Sequence, residues 1–226
     1  MRAGAALTDA AFPAGNGQAE RDAGIFEACA QLLTWLARFF QGPPPARFIE
    51  SLGAAPGRKL VMDIASSIDE PETGETMLAA LSAEHAALAA ARAYTQLFEG
   101  VSGPRGVSLY ESAYVGSGRL FGEPCAEMQR LLGACGRSLA AECREPPDHL
   151  GVEILLLADR LAQRDWSAAV QLADRLARWA PDVAQACARR DASHLYAAAT
   201  RLLLGALRHT RAALEIFLRI EHEQTP

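Results

Sequence analysis

Glu145-Pro146-Pro147-Asp148-His149 runs directly into Leu150-Gly151-Val152-Glu153-Ile154-Leu155-Leu156-Leu157. Two successive prolines cannot sit inside a helix, because each lacks an N–H and clashes with the preceding turn. Asp148 is a strong N-cap residue, and the apolar run behind it predicts a helix buried on nearly all sides, ending about Arg164. An acid, an imidazole and free backbone N–H groups therefore meet where a rigid loop enters a core helix. The junction is expected to be polar, fixed in place and partly exposed.

Outward from this junction, every segment with a clear period is helical. Ile25, Cys29, Leu32, Leu36 and Phe39 recur at alternating intervals of four and three, until Gly42-Pro43-Pro44-Pro45 stops the run. Two short helices are expected near 46–52 and 58–68, followed by the turn-rich stretch Asp69 to Gly74. A long Ala-rich helix is expected from Met77 to Phe98, with Leu78, Leu81, His85 and Leu88 on its apolar stripe. The pattern lapses over Glu99 to Leu120, which is long for a connecting loop, and resumes from Cys125 to Cys135. Asp165 is placed to cap a further helix with Ala169, Leu172, Leu176 and Trp179 on one side and Gln171, Asp174, Arg175 and Arg178 on the other. Pro181 is expected to end it. A last helix, from about Ser193 to Glu221, carries two adjacent apolar stripes and reads as central, with His209 on one stripe as a core residue.

No period-2 run of β-branched residues occurs. The fold class is all-α: a single globular bundle of about nine helices, with residues 1–20 as a mobile tail and 21–226 as the helical domain. The Pro-rich break near 143–148 either hinges two helical subdomains or is a loop within one globule. Composition agrees, since half of the 226 residues are hydrophobic and Ala and Leu dominate.

The formal charge of −5 and the lack of any extended basic cluster beyond Arg189-Arg190 argue against nucleic acid, which needs grouped cations to neutralise phosphates. The cysteines Cys29, Cys125, Cys135, Cys143 and Cys187 are odd in number and contain no C-x-x-C pair. Buried free thiols in a reducing compartment are the expected state. No uncharged apolar run approaches the ~18–20 residues that cross a membrane, and the N-terminus makes a poor signal peptide. A soluble, cytoplasmic protein is expected.

Catalytic constellations are sparse. No Glu-x-x-His pair of a di-metal bundle occurs, there is no G-x-S-x-G elbow, and no Cys adjoins a His. Asp191-x-x-His194 reads as a helix start. Gly116-Ser117-Gly118-Arg119 lacks the spacing of a phosphate loop. Backbone N–H groups ahead of a helix still leave weak guanine-nucleotide binding open; no other cofactor and no metal is expected.

Two further segments accompany the opening one. In Tyr94-Thr95-Gln96-Leu97-Phe98, Tyr94, Leu97 and Phe98 share one helix face, with core packing as their simplest role. In Ser108-Leu109-Tyr110-Glu111-Ser112-Ala113-Tyr114, two aromatics flank an acid and a hydroxyl, a composition suited to peptide contact. In this order the three segments resemble the TorD/DmsD family of molybdoenzyme maturation chaperones. Its members commonly show an aromatic-x-x-Leu-Phe helix end, a Tyr-Glu-Ser-x-Tyr loop, and E-P-x-D-H-x-x-x-E opening an apolar helix. Glu153 supplies the last acid here, and Ser108-Leu109 stands where a proline often precedes the Tyr-Glu-Ser. The match covers roughly 90–210, and the first eighty residues fit only in being helical.

The resemblance implies a cytoplasmic chaperone and not an enzyme, monomeric or homodimeric. It would bind the apo catalytic subunit of a molybdopterin-containing oxidoreductase and that subunit's twin-arginine leader peptide, delaying export until cofactor insertion. The implied binding residues are Tyr110, Glu111, Ser112, Tyr114, Glu145, Asp148, His149 and Glu153, with Tyr94, Leu97 and Phe98 in support. The rival reading is a helical nucleotide- or metal-dependent hydrolase using Asp148, His149 and Glu153. A ligand-sensing DNA-binding regulator is a third, and it lacks a basic recognition helix.

Overall fold

The run Leu150 to Ala162 does become a buried helix, and the rest of the chain is arranged around it. In this computed structural model residues 16–100, 106–116, 118–141 and 143–224 are described. Nine α-helices form among them: α1 (Asn16–Ala37), α2 (Ala46–Gly53), α3 (Ala55–Ser67), α4 (Pro71–Leu81), α5 (Ala86–Phe98), α6 (Glu123–Ala134), α7 (Leu150–Ala162), α8 (Trp166–Arg190) and α9 (Leu195–Gln224). The described residues contain no strand, only an isolated antiparallel bridge between Tyr110 and His149. The all-α expectation is borne out. The first fifteen residues of the expected tail, and Gly103, Pro104 and Ser117 of the loop, lie outside the described residues; 16–20 belong to α1.

α7 packs between α1 and α8, and α8 packs along α9. Ile154, Leu157 and Leu161 of α7 meet a core that includes Leu33 and Leu36 of α1 and Leu172 and Leu176 of α8. Phe26, Trp166 and Phe217 form an aromatic cluster joining α1, α8 and α9, with ring centroids 4.5–5.4 Å apart. α4 lies across α3 and α9. Glu70, just ahead of α4, is buried and accepts hydrogen bonds from Thr73, Arg201 and Arg208, which ties this corner to α9.

Several local expectations are corrected. The Ala-rich stretch 77–98 is not one helix. It breaks between α4 and α5 at Ser82–His85, where Ser82 caps back onto the Leu78 carbonyl and His85 takes a left-handed conformation (φ 58°). His85 is exposed and not on an apolar stripe. Intrinsic helix propensity loses here because α4 packs on α3 and α9 while α5 packs on α2. His209 is likewise exposed, beside an apolar groove lined by Ile25, Trp35 and Leu60. Pro181 lies inside α8 and does not end it. Pro181 faces solvent while Trp179, Ala180 and Val183 are buried, so packing on both sides holds the helix together across the missing hydrogen bond.

At the α2–α3 corner a Cβ added to Gly57 would fall 2.1 Å from the Ser51 carbonyl oxygen and 2.6 Å from Leu52 Cα. Gly57→Ala should therefore destabilise the protein by about 2 kcal/mol or more in urea unfolding. Helix propensity alone predicts the opposite sign, a gain of about 1 kcal/mol.

Candidate functional site

The Pro146-Pro147 connector and the loop after α5 are stitched together by backbone. Leu150 N donates to Leu109 O (2.7 Å), and Glu111 N donates to Asp148 O (2.9 Å), on either side of the Tyr110–His149 bridge. The loop is held at its start by Val107 N to Leu97 O and by Arg190, whose guanidinium donates to Gly106 O. A 3₁₀ turn, Glu111–Ala113, then points Glu111 and Ser112 inward.

The expected cap geometry is corrected. The N-cap of α7 is His149, whose Nδ1 accepts from Gly151 N at 3.1 Å. Asp148 instead reaches across to the loop and accepts from Ser112 N at 3.0 Å. The junction is also not exposed: Asp148, His149 and Glu153 show 0%, 3% and 0% of their surface. Burial lowers the His149 pKa against the pull of Glu145 and Asp148. A neutral ring accepting at Nδ1 carries its proton on Nε2.

Below this junction lies a buried charge cluster. Arg175 of α8 donates to Glu111, to Glu127 (2.8 Å) and to the Pro124 carbonyl (2.8 Å), and its Nε lies 3.6 Å from Glu153 Oε1. Trp179 Nε1 donates to Glu153 at 3.2 Å, and the Tyr114 ring stacks on Trp179 with centroids 5.9 Å apart. Tyr114 OH closes the loop on itself by donating to Ser108 O (2.8 Å). One guanidinium thus serves two deeply buried carboxylates, Glu111 and Glu153, and a third, Glu127, that is 41% exposed. Burial, with Glu111 nearby, pushes Glu153 up to about 8. Burial raises Glu111 as well, opposed by Arg175. The cluster so keeps a proton where two full negative charges would be too costly.

Above it, Tyr110 OH donates to Glu145 at 2.9 Å, and both residues are half-buried. Burial, then the Glu145 hydrogen bond, raises the Tyr110 phenol to about 12. Tyr94 and Leu97 are core residues: Tyr94 OH donates to Phe40 O (3.1 Å), and Phe98 packs edge-on against Tyr196 with centroids 5.2 Å apart. Among the described residues, no group of three or more His, Cys, Asp or Glu is placed to hold a metal ion, and no helix is long and apolar enough to cross a membrane.

All eight candidate binding residues come together around this junction, with Tyr110, Tyr114 and Glu145 nearest the surface. Arg175, Trp179 and Glu127 join them, although nothing in the three motif segments points to them. The sequence places Arg175 on the polar side of its helix, yet it is 3% exposed. Its spacing held a signal: Leu172, Arg175, Leu176 and Trp179 follow i, i+3, i+4, i+7, which places an arginine on the apolar line.

An all-α protein with this motif-bearing polar junction in its core is a narrow class, and comparison with known proteins names it. The family model described as "Nitrate reductase delta subunit" matches residues 67–197, from the end of α3 into α9, and the chain belongs to that family. The chaperone protein TorD of Vibrio cholerae serotype O1 (strain ATCC 39315 / El Tor Inaba N16961) is 31% identical over 125 residues, covering 50% of this chain and 57% of the relative. The chaperone protein TorD of Photobacterium profundum is 29% identical over 180 residues, covering 73% of this chain and 78% of the relative. The chain spans little more than half the length of the Vibrio cholerae relative. The resemblance to the TorD/DmsD family seen in the motifs is borne out.

Two outcomes follow from the cluster. Arg175→Ala leaves Glu111 and Glu153 buried without their cation and should cost about 3–5 kcal/mol in urea unfolding followed by tryptophan emission. Glu153 binds its proton more tightly folded, at about 8, than at its ordinary 4.5. Its contribution to stability is therefore complete below the ordinary value and lost as pH rises through the folded one. Glu153→Gln, neutral throughout, should melt with a flatter pH dependence between about pH 5 and 8.5 than the parent protein.

Proposed function

We propose that this protein is a chaperone that binds the apo catalytic subunit of a molybdopterin-containing oxidoreductase, and that subunit's twin-arginine leader, before cofactor insertion and export. It acts by binding and is not an enzyme. The observation that carries the reading is the joining of the Tyr-Glu-Ser loop and the E-P-x-D-H segment into one rigid assembly. Family membership and relatives named as TorD chaperones support it.

Within that assembly the residues divide by exposure. Tyr110, Glu145 and Tyr114 meet the leader, with the Glu145 carboxylate as the partner of an incoming guanidinium. Glu111, Ser112, Asp148, His149 and Glu153 are buried and hold that surface in shape. The hydrolase alternative is not favoured. Its three residues, Asp148, His149 and Glu153, are packed inside, and Asp148 and His149 are engaged in holding the loop and capping α7.

Glu145→Gln keeps the size and a hydrogen-bond acceptor for Tyr110 but removes the charge. It should weaken leader binding by about tenfold in isothermal titration, in line with the ~1.5–3 kcal/mol of a charge-assisted hydrogen bond, discounted for partial exposure. The melting temperature should stay within a few degrees of the parent. Unchanged affinity would move the guanidinium site away from the junction.

A further inference from the structure

The sequence contains one arginine doublet, Arg189-Arg190, and the leader site uses it only through the single bond from Arg190 to Gly106. It sits at the C-terminal end of α8, where it faces Arg92 of α5 across a cleft of about 890 Å³. The bland explanation is compensation of the α8 dipole, which amounts to about half an elementary charge. Three guanidiniums exceed that severalfold. Arg92 and Arg189 are exposed, and neither has an ion-pair partner among the described residues. Arg190 spends one N–H on the neutral Gly106 carbonyl and has no ion-pair partner among the described residues.

Among the described residues Asp191 is the one acid in the cleft wall, and it is already committed. Buried at 4% exposure, its carboxylate accepts from Ser193 N and Oγ, Tyr196 N and Ala197 N. Those bonds also consume the backbone donors at the start of α9, so no N–H cradle remains there for a phosphate. The floor is apolar, with Ala93 and Leu97. Guanidiniums around an apolar floor suit carboxylates carried on a polypeptide better than a nucleotide. A positive cleft on a chain of net charge −5 is also a local feature, since the background field repels acids elsewhere.

We propose that the cleft between α5 and the α8–α9 corner binds an acidic stretch of the client polypeptide. The inference rests on the chaperone reading. Because Arg190 also holds Gly106 at the head of the Tyr-Glu-Ser loop, an occupant of the cleft adjoins the element that builds the leader surface.

The test uses the full chain and a fluorescein-labelled dodecapeptide alternating Glu and Ala, followed by fluorescence anisotropy. Binding should weaken markedly on going from low salt to about 0.3 M. Arg92→Glu combined with Arg189→Glu should lose at least about tenfold in affinity while melting within a few degrees of the parent, as both positions are exposed. Arg130→Glu with Arg178→Glu, exposed in the separate groove between α6 and α8, should change it by less than about twofold. Equal loss in both double variants would show mere net-charge attraction and overturn the proposal. So would tighter binding of inorganic tripolyphosphate than of the peptide, or no peptide binding at all. Leader titration separates the two readings: the cleft variant should bind the leader like the parent. A parent chain that takes the acidic peptide but not the leader would overturn only the leader reading.

Discussion

Everything at the candidate site depends on one guanidinium shared among carboxylates inside the protein. Arg175 holds Glu111 from the loop, approaches Glu153 from α7 and reaches the carbonyl end of Pro124 in α6. Three segments remote in sequence are therefore registered on one α8 side chain. Such a buried pair is poor evidence of net stability, since desolvation offsets most of its Coulombic gain. Its effect is on geometry: the charges can be satisfied in one arrangement only, and a misplaced loop would strand a carboxylate in the core.

That constraint explains the division of labour among the motif residues. The polar groups of Tyr-Glu-Ser and E-P-x-D-H are turned mostly inward, so their chemistry is spent on one another. Asp148 anchors Ser112, His149 starts α7, and Glu153 sits against Trp179 and Arg175. What reaches the surface is a small rim, with Tyr110 on Glu145 and Tyr114 on the Trp179 face. If this rim meets the leader as proposed, it does so preorganised, with little ordering entropy left to lose.

Charge is divided in the same manner. The buried pair Glu111 and Glu153 is balanced from within by Arg175 and by proton retention on Glu153. Among the described residues the arginines of the α5–α8–α9 cleft have no such acid partner, while Glu70 captures Arg201 and Arg208 further along α9.

The sequence by itself determined the helical class, most helix positions, and which segments meet at the candidate site, because apolar spacing, proline pairs and glycine runs are local signals. It also located the Asp165 cap, and the caps formed by Asp191, from side chains that act within a turn or two. Tertiary structure alone decided the break at Ser82–His85, the passage of α8 through Pro181, and the exposure of His85 and His209, since packing against neighbouring helices outweighs propensity at each. It alone turned Asp148 from a cap into a loop anchor and placed Arg175 between Glu111 and Glu153. Those partners lie 36 residues from Asp148 to Ser112 and 64 from Arg175 to Glu111. No local period encodes such a meeting; it exists only once α7 and α8 are packed together and the loop is laid against them.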